Sequence, residues 1–141
     1  MIQIQTVNAA SRIDVATTRR LARQVRAAWR VWRGPDVPIT IRLAGDAEIA
    51  TLNARYRRKP KPTDVLSFPY HEHSQLIAGD VIIAVGVARR QARARRCTLA
   101  AEMLRLAIHG LAHLLGYDHH TRTDFAAMRA IEWAGLCAAE S

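Results

Sequence analysis

His109-Gly-Leu-Ala-His113-Leu-Leu-Gly116-Tyr-Asp-His119 ends a helical run that begins near Thr98, and the rest of the chain is best read outward from it. A helix turns 100° per residue, so residues i and i+4 lie about 40° apart on one face and about 6 Å apart along the axis. His109 and His113 can therefore reach one ion. Gly116 follows three residues later, where a left-handed glycine stops a helix and turns the chain back, returning His119 toward the same point. Three neutral nitrogens with one open position are what a catalytic zinc ion requires. A single histidine is ordinarily a partly buried side chain, and pairs at i, i+4 are common. Three at H-x3-H-x2-G-x2-H, on a helix with its own stop, point to a metal. His71, His73 and His120 fall outside the pattern and read as solvent-facing.

The spacing is that of the zinc-peptidase pattern H-E-x-x-H-x-x-G-x-x-H, except that Gly110 stands where the general-base Glu belongs. Without that carboxylate, peptide hydrolysis is disfavoured. Three neutral ligands leave the full charge on the ion, which suits a phosphate oxygen and lowers the pKa of a bound water toward ~7.

Hydrophobic periodicity places the other elements. Ile2 and Ile4 alternate as a short strand, and Leu21, Val25, Ala28, Trp29 and Trp32 recur at helical spacing between Arg12 and Arg33, with Gly34 and Pro35 as the stop. Val37, Ile39, Ile41 and Leu43 alternate strictly as a second strand. Asp46 caps a short helix that turns Ile49, Leu52 and Tyr56 inward. Pro60 and Pro62 interrupt regular structure, Val65 to Phe68 forms a strand closed by Pro69, and Tyr70 to Ala78 is a polar loop. Gly79-Asp80 opens the apolar run VIIAV, which suits the middle of a sheet, with Asp80 as a turn or cap residue. A basic helix covers Gly86 to Arg95, the histidine helix follows, and a last helix starts near Thr123 or Asp124 with Phe125, Met128, Ile131 and Leu136 inward. The expected fold is α+β (mixed α/β), an approximately four-stranded sheet packed by four or five helices, one of them a zincin-like metal-binding helix. Residues 1–141 read as one domain.

Composition narrows the partners. Lys plus Arg is 21 against 12 for Asp plus Glu, a net +9, which favours a polyanion. Nineteen of the 21 are arginine, whose planar fork fits phosphate oxygens, although codon bias accounts for much of that ratio. No apolar run approaches the ~18 residues of a membrane span, and the first residues lack a secretory pattern. Cys97 and Cys137 are too few and too scattered for a disulfide framework and read as buried or idle thiols in a reducing compartment. Arg57, with Arg58, Lys59 and Lys61 close behind, can hold phosphates or can be a solvated basic loop. Asp118 can orient an imidazole or shape the turn.

The chain resembles the YbeY family of bacterial ribosomal-RNA maturation factors. The resemblance rests on LNARYRRKPKPTDVLSFP (Leu52 to Pro69), Gly79-Asp80-Val81, Glu102, HGLAHLLGYDH (His109 to His119), and Met128 with Glu132. It implies a zinc-dependent, single-strand-specific endoribonuclease that acts in the cytoplasm in 16S rRNA 3′-end maturation and ribosome quality control. The implied partners are single-stranded RNA and rRNA and the small ribosomal subunit with its associated proteins, with no membrane and no DNA. By motif position it makes His109, His113 and His119 the ligands of one Zn2+ with a water in the fourth place, and Arg57 a functional arginine of the active-site channel. Two other readings compete: a non-catalytic ribosome-assembly factor with a structural metal, and a metal-dependent peptidase.

Overall fold

Alternation at Ile39, Ile41 and Leu43 sends these three side chains to one face of strand β2 (Ile39–Ala44), where all are fully buried. In the computed structural model, which describes residues 2–6, 13–57, 64–69, 79–117 and 120–140, β2 belongs to a four-stranded sheet in the order β1-β2-β4-β3. β1 is Ile2–Thr6, β3 is Val65–Pro69 and β4 is Gly79–Ala84. β1 runs parallel to β2 and β2 parallel to β4, while β3 is antiparallel to β4. The continuous apolar run thus lies between two partners, as expected of a strand covered on both faces: Val81 and Ile83 point one way, Ile82 and Ala84 the other. Asp80 is the second residue of this strand, opposite Thr40, and not a turn or cap.

Helices cover both faces. α1 (Val15–Val31) and α4 (Leu99–Leu114) pack with Ile39, Ile41, Leu43, Val81 and Ile83 into the main core, and α5 (Arg122–Ala139) lies against both helices. α2 (Asp46–Arg57) covers the other face, where Ile49 and Leu52 meet Ala44, Leu66, Ile82 and Ala84. The Tyr56 side chain lies outside the described residues, as do residues 58–63 and the 70–78 stretch. α3 (Val85–Arg95) continues directly from β4, so the chain passes from the sheet centre to the histidine helix with only Arg96, Cys97 and Thr98 between α3 and α4.

Several boundaries differ from expectation for local reasons. α1 starts at Val15 because Asp14 accepts a hydrogen bond from the Thr17 N–H at 2.7 Å. At its other end, Arg33 takes the left-handed position (φ 55°), and the Gly34 N–H donates to the Trp29 carbonyl at 2.9 Å. Gly34 has a different job: a Cβ there would lie 2.2 Å from Cε2 of the Trp29 ring. Arg33→Gly is therefore expected to stabilise the protein by about 1 kcal/mol, seen as a higher urea midpoint at unchanged slope. Asp46 is the first residue of α2 and its carboxylate pairs with Arg90 at 3.0 Å, so it does not cap the helix as expected.

α5 begins at Arg122, with Thr121 as its cap, earlier than Thr123 or Asp124. Phe125 does not face inward; it is 51% exposed. Met128, Gly135 and Ala139 are the buried line of this helix, and at 100° per residue Phe125 sits about 60° off it. Trp32 fixes α5 against α1: its Nε1–H donates to the Ile131 carbonyl at 2.8 Å, and a Cβ on Gly135 would come 2.6 Å from its ring. Both cysteines are exposed, not buried.

Candidate metal centre

α4 is fixed at both ends. Thr98 caps it, its Oγ1 accepting the Ala101 N–H at 3.0 Å. The other end closes as expected, with Gly116 at φ 96°, its N–H on the His113 carbonyl and the Tyr117 N–H on that of Ala112. Midway, the helix comes very close to the sheet. A Cβ on Gly110 would lie 2.5 Å from Val81 Cγ1 and 3.2 Å from both Ser67 Oγ and Val65 Cγ2. Ser67 of β3 also donates its hydroxyl to the Gly110 carbonyl at 3.0 Å. The position after the first histidine is thus filled by the sheet, leaving no space for a glutamate.

His109 and His113 converge on a neighbouring face of the helix. Their Nε2 atoms are 3.1 Å apart, with ring centroids 4.6 Å apart and planes at 89°. An ion at the usual zinc–imidazole distance of 2.0–2.1 Å from each would see them at about 100°, close to tetrahedral. The two donors fit such an ion. Among the described residues no group of three or more His, Cys, Asp or Glu assembles as a full ligand set. His119 and Asp118 lie outside the described residues, as do His71 and His73. His120 is exposed, as expected. Arg57 is the last residue of α2, and its side chain lies outside the described residues.

Glu132 of α5 had no assigned role in the sequence reading. Its Oε2 lies 3.0 Å from His109 Nδ1. Burial pushes the Glu132 carboxyl up, but the hydrogen bond and charge of His109, with the charges of Arg129 and Arg105, outweigh it and hold the carboxyl below its ordinary value. An ionised carboxylate only accepts, so Nδ1 is the donor of this bond, and in the neutral imidazole that an ion requires Nε2 is the nitrogen left with a lone pair. The signal was present: Met128 is buried, and a carboxylate one turn further along the same face needs a partner. Glu132→Gln keeps the shape and removes the charge. It is expected to weaken zinc affinity about 10- to 100-fold, measured by competition with a chelating dye.

A family model described as Endoribonuclease YbeY matches residues 3–137. The chain belongs to that family. A YbeY relative from Sphingopyxis alaskensis, also called Endoribonuclease YbeY, is 34% identical over 155 residues, covering 96% of this chain and 92% of the relative. One from Aquifex aeolicus, of the same name, is 49% identical over 86 residues, covering 60% of this chain and 57% of the relative. That match, like the 52% of the Gloeobacter violaceus relative, spans only about half the length of the YbeY protein concerned. The solution structure of TM1509 from Thermotoga maritima superposes with a TM-score of 0.62 at 25% identity, covering 100% of this chain and 96% of that one. The α+β fold, five helices and a four-stranded mixed sheet among the described residues, thus has a structural counterpart beyond this sequence. Among the described residues no helix is long and apolar enough to cross a membrane.

Proposed function

We propose that this chain is a zinc-dependent endoribonuclease specific for single-stranded RNA, with His109, His113 and His119 as the ligands of one ion. We propose also that it acts on the small ribosomal subunit, in 16S rRNA 3′-end maturation and ribosome quality control in the cytoplasm. The observation that supports the metal centre is the 3.1 Å approach of two imidazole Nε2 atoms, one of them oriented by a carboxylate. Membership of a family named for endoribonuclease activity supports the reaction class. Zinc, when bound, supplies a Lewis acid for a phosphate oxygen and lowers the pKa of water. Glu132 accepts from His109 Nδ1–H in this reading and so orients the ring. In this reading Arg57 binds the scissile phosphate and stabilises the charge that develops there. Gly110 contributes no base, and the closeness of Val81 argues against the peptidase reading.

The test is cleavage of single-stranded RNA by the purified chain. Cutting that stops with a chelator and returns with zinc supports the proposal; cutting indifferent to chelator contradicts it. If a folded variant without ligand histidines still restored ribosomal-RNA processing in cells, binding alone would be the function and the assembly-factor reading would replace this one. Protons compete with zinc for the imidazole nitrogens, whose ordinary pKa is about 6.5. Zinc affinity is therefore expected to fall progressively below about pH 6, as a titration with a zinc indicator would show. Affinity flat to about pH 5 would exclude an all-imidazole site.

A further inference from the structure

We propose that the groove beside the histidine pair, between α5 and the neighbouring parts of α3 and α4, is a track for single-stranded RNA. The inference rests on the nuclease reading and adds a second place where the strand is held. The groove has a volume of about 310 Å³ and is lined by Arg95, Arg105, Arg129, Glu132, Trp133 and Leu136. Glu132 is shared: one carboxylate oxygen meets His109, and the residue also forms part of the groove wall. The groove therefore abuts the metal centre.

Its two walls carry complementary chemistry. On one side, Arg105 is held by a forked pair to Glu102, and Arg95 reaches the same carboxylate at 3.4 Å. Glu102 is only 1% exposed, so its charge is sealed inside, while the side chains of Arg95 and Arg105 that pair with it remain partly exposed. The N–H donors that these held guanidinium groups do not spend on Glu102 can meet phosphate oxygens. On the other side, Arg129 and Trp133 stand one turn apart on one face of α5, and Phe125 continues that face one turn beyond the groove. Arg129 lies over the Phe125 ring at 5.8 Å. Trp133 is 71% exposed and Phe125 51%, a large apolar surface to leave in water. Exposed aromatic rings alternating with arginine make the pattern by which single strands are held, bases stacked and backbone phosphates paired. An apolar protein partner would have to desolvate these arginines, which disfavours it.

The experiment uses the full chain carrying His113→Ala, so that RNA is not consumed, and a fluorescent oligouridine on the order of ten nucleotides long. Binding is read by anisotropy across a salt series. Trp133→Ala should weaken binding about tenfold, and Trp133→Phe should retain most of the affinity. Arg129→Ala should weaken binding and reduce the salt slope by about 0.7. Because Trp133 is so exposed, its variants are expected to fold, which circular dichroism checks. Affinity unchanged by Trp133→Ala overturns the proposal. So does tighter binding of duplex RNA than of the single strand, or displacement of oligouridine by polyglutamate at lower concentration than by unlabelled RNA, which would make the groove an acidic-protein surface. Cleavage by the natural chain is scored separately. A chain that cuts RNA but binds it equally without Trp133 sinks the groove alone. One that never cuts, yet loses oligouridine on Trp133→Ala, sinks the nuclease reading alone.

Discussion

His113→Ala is expected to abolish stoichiometric zinc binding and to lower RNA cleavage on the order of a thousandfold, with the fold intact. The ring sits at the partly exposed end of α4, so its loss leaves the core undisturbed. What goes is one of two nitrogens 3.1 Å apart. Removing the charge that the ion places at a phosphate costs several kcal/mol of transition-state stabilisation, and each 1.4 kcal/mol is about tenfold in rate. His109→Ala should match it and should also release Glu132 from its partner. Elemental analysis and a single-turnover cleavage assay would check both, with Cys97→Ser as the unaffected control. Retention of zinc by the double histidine variant would mean that the metal lies elsewhere.

The second large effect is on stability. Gly110→Glu, the change that would restore a complete zinc-peptidase motif, is expected to destabilise the fold by more than about 3 kcal/mol. Thermal unfolding should drop by on the order of 10 °C. The carboxylate would have to enter space already held by Val81, Val65 and Ser67, adding a buried charge to a steric clash. Gly110→Ala separates the two costs. With only a methyl to place it should lose about 1–3 kcal/mol. A Gly110→Glu protein as stable as the parent, with new peptidase activity, would contradict the packing argument and revive the peptidase reading.

How much of this was legible in the sequence depends on range. Local signals carried the histidine helix, because Thr98, Gly116 and the i, i+4 pair act within a few residues of one another. The placement of β4 inside the sheet followed from an apolar run with no polar face to spare. Burial of Phe125 was expected from helical spacing, but spacing does not say which line of α5 faces α1 and α4; Trp32 and Gly135 decide that across the helix interface. Helical spacing from Met128 marks Glu132 as needing a partner, but which partner lay beyond local reasoning, since His109 is 23 residues away. Gly110 stands where a base would be expected, and the packing gives the reason: the histidine helix touches the sheet where a side chain would stand. The helix stop at Gly34 was legible, but the left-handed residue of that stop is Arg33, just before the glycine.

The most direct measurement is X-ray absorption on the zinc-loaded chain in solution. Three imidazole rings and one solvent oxygen at about 2.0–2.1 Å are expected. A sulfur neighbour at about 2.3 Å, a fourth protein ligand, or only two imidazoles would contradict the proposed centre.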